Sequence, residues 1–237
     1  MSLAILMPAF NESGALARTL VALRDRAAEV DGVTVLLVDD GSARAIDGAS
    51  LPSPTAAFRV VLARHAANLG QGAALETARQ LALLHARDAT AFVTMDADGQ
   101  HRVEDALDLG RAIAGGADVA FGNRFLGDSN VPRSRRVVLA FARWLERGLT
   151  GLKLHDAHNG LRAFSLRALE HLAIRQDRMA HATEIKLRVA RNASLVIVEV
   201  PVSVRYTPES LAKGQRSIGA AVILRDLVHH YLFGDSR

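Results

Sequence analysis

The chain has 237 residues, of which 49% are hydrophobic and 23% charged, a composition that excludes a largely disordered protein. It contains no cysteine, which excludes disulfides and thiolate metal sites. No stretch approaches the ~20 consecutive apolar residues that span a bilayer, and the first residues lack the basic region of a signal peptide. We therefore expect a cytoplasmic protein, with peripheral contact at the inner face of the membrane left open.

The net charge of +4 is small, but the positive residues are unevenly placed. Arg133, Arg135 and Arg136 form a basic cluster, and apolar residues at helical spacing follow it from 138 to 149. The cluster is either a solvated surface or a binding site for phosphate or an anionic membrane. The apolar face beside it fits both core packing and a helix on a membrane surface. Nucleic acid is not expected as a partner.

Apolar runs alternate with segments of helical periodicity along the first half of the chain. The runs predict strands at 3–7, 34–38, 59–63 and 91–95, and the periodic segments predict helices at about 13–30 and 70–86. Strands that are apolar throughout are typical of a parallel sheet covered by helices on both faces. The sequence therefore predicts an α/β fold.

The second half of the chain is less regular. It predicts strands at 118–122, 161–164 and 195–200, helices at about 136–149 and 181–191, and an amphipathic tail at 218–232. No repeat, low-complexity tract or linker interrupts it, so a single domain is expected.

Each of the first four predicted strands ends on polar residues. The segments are 11–12, 39–40, 65–68 and 96–100. Because ligands of parallel α/β sheets bind beyond the carboxyl ends of the strands, these polar groups should converge on one binding edge.

Asp96 and Asp98 follow the strand at 91–95 and are separated by Ala97. Two carboxylates at this spacing can turn toward one cation, and Mg²⁺ or Mn²⁺ prefers oxygen ligands that it shares with substrate phosphates. Such an ion offsets the charge that builds on a departing diphosphate. An Asp-x-Asp pair in a loop is often merely solvated, but its position at a strand end favours a metal site.

Other segments at this edge allow two interpretations. Asp40 is either a helix cap or an acceptor for a base N–H or a ribose hydroxyl, and Glu12 either caps the helix starting at Ser13 or faces a ligand. The two glycines of segment 68–72 suit close approach of an anion to helix amides. Their spacing matches neither the dinucleotide fingerprint nor the Walker loop, which argues against a dehydrogenase and a P-loop kinase.

Several segments occur in an order that resembles the inverting family 2 glycosyltransferases, and most closely the polyprenyl-phosphate sugar synthases of the dolichyl-phosphate mannose synthase type. They are 8–12, 38–42, 68–72, 94–101, 122–125, 159–164 and 200–202. The resemblance implies a GT-A fold, with a mostly parallel Rossmann-like sheet flanked by helices. Its single domain would span residues 1–216, with a donor half of about 1–125 and an acceptor half of about 126–216. An amphipathic tail at 217–237 would follow.

The resemblance also implies site residues. Those expected to bind the nucleotide sugar are Pro8, Phe10, Glu12, Asp40, Gly70, Asp96, Ala97, Asp98, Gln100, Arg124 and Lys213. Those expected on the acceptor side are Arg133, Arg136, Arg162 and Arg216. Asp96 and Asp98 would hold Mg²⁺ or Mn²⁺, and the catalytic roles would fall to Asp98, Arg124 and Asp156. Without a ligand, Arg124 would be a surface salt bridge.

Two features depart from the family pattern. The family often has Lys where Gln71 stands, so one expected phosphate contact is missing. No transmembrane helices follow Arg216, unlike many bacterial relatives, although the soluble dolichyl-phosphate mannose synthases share that absence.

The implied reaction is a direct displacement at the anomeric carbon of a UDP- or GDP-linked sugar, with inversion. A polyprenyl phosphate acceptor is already anionic, whereas a hydroxyl acceptor requires a general base, for which the candidates are Asp156, then Glu104, Asp105 and Glu184. His155 and His158 flank Asp156 without matching a zinc signature. The alternatives are a family 2 transferase with a soluble saccharide or small-molecule acceptor, and a nucleotide-sugar-binding module without catalysis.

Overall fold

The structure, a computed structural model, describes residues 1–12, 14–127, 147–148, 151–152, 154–156, 159–176 and 180–203. Strands and helices alternate along them. The strands are β1 (Leu3–Ala9), β2 (Val33–Asp39), β3 (Phe58–Arg64), β4 (Ala91–Thr94), β5 (Val119–Asn123), β6 (Arg162–Phe164) and β7 (Ile197–Pro201). The helices are α1 (Gly14–Arg26), α2 (Gln71–His85), α3 (Val103–Ala114), α4 (Leu166–Glu170) and α5 (Ala180–Arg191), with short 3-10 turns at Ala27–Glu29 and Gly48–Ser50.

The seven strands form one sheet in the order β3-β2-β1-β4-β6-β5-β7. All neighbouring strands are parallel except β6, which runs antiparallel to both β4 and β5. The carboxyl ends of β1, β2, β4 and β5 therefore lie along one edge. This arrangement confirms the expected α/β fold with a mostly parallel sheet flanked by helices.

Strand β1 contributes to a core on each face of the sheet, because successive side chains of a strand point to opposite faces. Leu3, Ile5 and Met7 pack with buried residues of α1 and α3, whereas Ala4 and Leu6 pack with those of α2, α4 and α5. Burial of a side chain such as Leu6 stabilises the fold by about 2 kcal/mol. The sheet is consequently a rigid platform for its carboxyl edge.

Strand β1 runs two residues beyond the predicted range 3–7 and includes Pro8. Strand β1 continues to Ala9 and pairs with β2 throughout, whereas its pairing with β4 stops at Leu6. Beyond Leu6 the strand has a hydrogen-bonded neighbour on one side only, which is where proline is tolerated in a sheet.

The other predicted elements agree with the structure to within a few residues, with two helices missed. Helices α3 and α4 were not predicted, although α3 buries Val103, Leu107 and Ile113 at helical spacing. Most of the predicted helix at 136–149 and all of the tail at 218–232 lie outside the described residues. Among the described helices, none is both long enough and apolar enough to cross a bilayer.

Candidate active site

The turns that follow β1 and β2 are bonded to each other. Asn11, with a φ of 54°, donates its backbone N–H to Ser42 Oγ over 2.8 Å, and Ala43 N–H donates to Asn11 Oδ1 over 3.0 Å. Gly41 has a φ of 69°, and a Cβ there would lie 2.3 Å from the backbone of Ala67, so only glycine fits. The two turns hold the neighbouring Phe10 ring 45% exposed at the sheet edge.

The Asp39 carboxylate holds the turn that follows β2. Its Oδ1 accepts a hydrogen bond from Ser42 N–H over 2.9 Å, and its Oδ2 accepts one from Ile46 N–H over 3.2 Å. Burial pushes the pKa of Asp39 upward, but these hydrogen bonds and the charge of Arg64 outweigh burial and leave the pKa below its ordinary value. Asp39 is therefore a structural anion.

Asp40 anchors the loop that precedes α2. Its Oδ1 accepts from Leu69 N–H over 2.9 Å and lies 2.7 Å from His65 Nδ1, and its Oδ2 accepts from Gly70 N–H over 2.9 Å. The far nitrogen of His65 lies 2.9 Å from Thr77 Oγ1. A carboxylate can accept about four hydrogen bonds. The nucleoside contact predicted for Asp40 would therefore have to use an accepting position that His65, Leu69 and Gly70 do not occupy.

Asp96 lies at the end of β4 among polar partners. Gln71 donates from Nε2 to Asp96 Oδ1 over 2.8 Å, and His101 Nε2 lies 3.5 Å from Asp96 Oδ2. Burial pushes the pKa of Asp96 upward, but contact with the His101 imidazole and the proximity of Arg162 and His181 leave it below its ordinary value. Gln71, noted in the sequence as a lost phosphate contact, instead orients this carboxylate.

Asp98 has the opposite electrostatic environment. Burial raises the pKa of Asp98, and the hydrogen bond from Gln100 N–H opposes that rise. The negative charge of Asp96 raises the pKa further, so it lies above its ordinary value. Its oxygens accept from the backbone and side-chain nitrogens of Gln100. Two carboxylates that repel each other in this way are relieved by a cation between them.

The chemistry of these side chains fits a Mg²⁺ or Mn²⁺ ion that shares its shell with a substrate. No group of three His, Asp or Glu residues within the described ranges could hold a metal alone. Mg²⁺ commonly takes one or two protein carboxylates and completes its shell with phosphates and water. A further polar atom in the region, His101 Nδ1, is buried and has no hydrogen-bond partner within the described part of the chain.

A second group of site residues lies at the end of β5. Arg124 donates to Asp156 Oδ2 from its Nε over 2.6 Å and from its backbone N–H over 3.0 Å, and both side chains are almost fully buried. The pair is thus not a surface salt bridge. Removing one partner of a buried ion pair costs about 3–5 kcal/mol, because the other charge is left uncompensated.

Segment 159–161 joins the two groups. Thr94 Oγ donates to Gly160 O over 2.7 Å at the end of β4, and Gly122 N–H donates to Leu161 O over 3.0 Å at the end of β5. Only β6 separates β4 from β5, so the two strand ends lie about 9–10 Å apart. Arg162, almost completely buried on β6, belongs to the same edge.

Three acidic residues considered as general bases hold neighbouring segments in place instead. Glu104 pairs with Arg26 over 2.6 Å, and Asp105 accepts from Ser203 N–H over 2.7 Å. Glu184 accepts from two backbone N–H groups of segment 175–176 over 2.8 Å each. These partners argue against a role for them in proton transfer.

Several predicted residues are not placed. Lys213, Arg133, Arg136, Arg216 and His158 lie outside the described residues. Conversely, the sequence did not single out Glu199, whose carboxylate contacts His155 and Asp156. The signal that could have drawn attention to it is its position directly before the segment 200–202 of the family pattern.

The chain is similar in sequence to known glycosyltransferases. The sequence matches the family model described as Glycosyl transferase family 2 over residues 4–173, more than half of the chain. It is 30% identical to polyprenol monophosphomannose synthase of Mycolicibacterium smegmatis, over 90% of this chain and 80% of that protein. It is 32% identical to the UDP-N-acetylglucosamine–dolichyl-phosphate N-acetylglucosaminyltransferase of Methanococcus voltae, over 72% of this chain and 69% of that protein.

Among solved structures, a similar one is glucosyl-3-phosphoglycerate synthase from Mycobacterium tuberculosis in complex with Mn²⁺, UDP and phosphoglyceric acid. It has a TM-score of 0.56 and 20% sequence identity, over 94% of this chain and 78% of that chain. A likeness at this level of identity establishes the fold, which is the expected GT-A fold. The match to the family model over residues 4–173 shows that the chain belongs to glycosyl transferase family 2.

Proposed function

We propose that the protein transfers a sugar from a nucleoside diphosphate to a polyprenyl phosphate, with inversion at the anomeric carbon. The observation that carries the proposal is the placement of two polar groups on one sheet edge. The Asp96 and Asp98 carboxylates follow β4, and the buried Arg124–Asp156 pair follows β5 two strand positions away. The first group suits a metal-bound diphosphate, and the second suits the acceptor side.

On the donor side, Asp96 and Asp98 would hold Mg²⁺ or Mn²⁺, which neutralises charge on the departing diphosphate when bound. The raised pKa of Asp98 beside Asp96 supports a cation between them. The remaining donor contacts are assigned from the family pattern. They are Pro8, Phe10, Glu12, Asp40, Gly70, Ala97, Gln100 and Lys213. Arg124, which the family pattern also gives as a donor contact, is assigned to the acceptor side because it is bound to Asp156 after β5.

On the acceptor side, a phosphate is favoured because the described site offers little room for a general base. Asp156 Oδ2 already accepts two hydrogen bonds from Arg124, and Asn159 Nδ2 lies 3.4 Å from the same oxygen. A phosphate oxygen attacks as an anion and has no proton to lose, so Asp156 can serve by holding Arg124 in place. Arg162, and from the sequence Arg133, Arg136 and Arg216, would meet the acceptor phosphate.

The named relatives support the same acceptor class. One transfers mannose and the other N-acetylglucosamine, yet both names specify a polyprenol-type phosphate. A lipid acceptor also implies contact with a membrane surface.

The test is transfer of radiolabelled sugar from UDP- and GDP-linked donors, with Mn²⁺ or Mg²⁺, to undecaprenyl phosphate, dolichyl phosphate or soluble saccharides. We expect label in the organic phase only with a lipid phosphate and a divalent ion. Asp98→Ala should abolish both transfer and the metal-dependent part of the thermal stabilisation by the donor, which reaches about 2.7 kcal/mol at a ligand concentration 100 times the Kd. Transfer to a saccharide alone, or donor binding without turnover, would contradict the proposal.

A further inference from the structure

Glu199, on the edge strand β7, accepts hydrogen bonds from two separate segments of the chain. Its Oε1 accepts from Asn123 Nδ2 over 3.1 Å, from His155 N–H over 2.8 Å and from Asp156 N–H over 3.3 Å. Its Oε2 lies 2.6 Å from His155 Nδ1. The Glu199 side chain is 14% exposed, whereas the His155 ring is 67% exposed.

The groups that Glu199 holds flank the Arg124–Asp156 ion pair on both sides. Asn123 directly precedes Arg124, and its Oδ1 accepts from Phe125 N–H over 2.9 Å, which shapes the turn carrying Arg124. The backbone N–H of Asp156 is bound directly. Residues 154–156 belong to no helix or strand, so no regular backbone hydrogen bonds hold them in place. Glu199 substitutes for those missing bonds.

We propose that Glu199 is a positioning residue that aligns Arg124 and Asp156 for the transfer reaction. The inference rests on the proposed function, because it assigns the aligned pair to the acceptor side. Glu199 acts through its neighbours. Its Oε1 is placed so that it accepts hydrogen bonds both from the turn after β5 and from segment 155–156. A displacement of about 1 Å at a reacting centre can cost on the order of 100-fold in rate.

Three substitutions distinguish the effect of the position of the Glu199 oxygens from the effects of the Glu199 charge and of the His155 ring. Glu199→Gln keeps an accepting oxygen at the same reach and removes the charge. Glu199→Asp keeps the charge but withdraws the oxygens by one C–C bond, about 1.5 Å. His155→Ala removes the exposed ring while leaving all three hydrogen bonds to Glu199 Oε1.

We expect kcat to fall on the order of 100-fold in Glu199→Asp, and Glu199→Gln and His155→Ala to stay within about fivefold of the parent. The KM for the donor and the metal-dependent thermal stabilisation by the donor should be unchanged in all three. The reason is that Asp96 and Asp98 follow β4, away from β7. If Glu199 only stabilised the fold, Glu199→Asp would lower the melting temperature, but it would not lower kcat while leaving donor binding unchanged.

The inference is overturned if Glu199→Gln is as inactive as Glu199→Asp, since the charge would then matter and not the reach. It is also overturned if His155→Ala loses activity to the same extent, because the imidazole itself would then act. An active parent enzyme with an equally active Glu199→Asp variant excludes it too. A parent enzyme that transfers no sugar to any lipid phosphate contradicts the proposed function instead.

Discussion

At the scale of single residues, side chains expected to contact a ligand already have partners within the protein. Asp40 binds two backbone amides before α2, Asp96 accepts from Gln71, and Arg124 is bound to Asp156. Such contacts hold the side chains in one orientation before a ligand arrives. The entropic cost of ordering them on binding is then small, which is how preorganisation raises affinity.

Gly160 tests whether the orientation of Asp96 matters for donor binding. A Cβ at this position would lie 2.6 Å from Asp96 Oδ2, so Gly160→Ala would force the carboxylate to turn away. Because the atom displaced is the end of a flexible side chain, we expect a loss of stability below about 1 kcal/mol. We also expect at least a tenfold weaker metal-dependent binding of UDP or GDP, measured by titration calorimetry.

Gly48→Ala is the matched control, since a Cβ there would meet no atom within 4 Å. It should bind the nucleotide as the parent does. Unchanged binding by Gly160→Ala would show that the Asp96 carboxylate does not hold the metal or the diphosphate in the orientation seen here.

At the scale of elements, hydrophobic patterning predicted all seven strands but not which strands pair with each other in the sheet. The strands at 161–164 and 195–200 were predicted, yet nothing local says that β6 runs antiparallel or that β7 lies beside β5. Those two facts bring Gly160 to Asp96 and Glu199 to Asp156. The polar ends of the first four strands were therefore predictable. The connections around Asp156 depend instead on contacts between residues far apart in sequence, 32 positions for Arg124–Asp156 and 43 for Asp156–Glu199.

Glu76 is a clamp between α2 and the segment after α4. It accepts from the Arg79 guanidinium and from Ile174 N–H, each over 2.8 Å, and from Gln80 Nε2 over 3.0 Å. Burial pushes the pKa of Glu76 upward, but these hydrogen bonds outweigh burial and leave it below its ordinary value. A carboxyl with a depressed folded pKa stabilises the protein above its unfolded pKa, and that contribution is lost as pH falls through the folded pKa.

We therefore expect Glu76→Gln to lower the free energy of unfolding at pH 7 by about 1–3 kcal/mol, because the charged acceptor of several hydrogen bonds is lost. The difference should begin to shrink near the ordinary glutamate pKa of about 4.3 and close further below it. Urea unfolding of both proteins at a series of pH values measures this. If the difference in free energy of unfolding did not change with pH, the contribution of Glu76 would come from packing and not from its charge.

At the scale of the whole molecule, the two groups of polar residues after β4 and β5 share one edge of the sheet. Under the proposed function the acceptor must reach that edge, and a polyprenyl phosphate would do so from a membrane surface. The basic cluster Arg133, Arg135 and Arg136 begins nine residues after Arg124 in the sequence. It lies outside the described residues, so its role as the membrane contact is a prediction from sequence alone.

Replacement of all three arginines of the cluster by serine should weaken binding to vesicles of anionic lipid. Each basic residue near such a surface contributes about 1 kcal/mol, so the loss of three amounts to on the order of 100-fold in affinity. Vesicle sedimentation at about 0.1 M salt measures the effect, which should diminish as salt screens the parent protein. The charge-matched control replaces three arginines that the structure places in exposed ion pairs: Arg24, Arg87 and Arg111. Equal weakening in both variants would show that net charge alone draws the protein to the membrane, because only a localised contact distinguishes two proteins of the same charge.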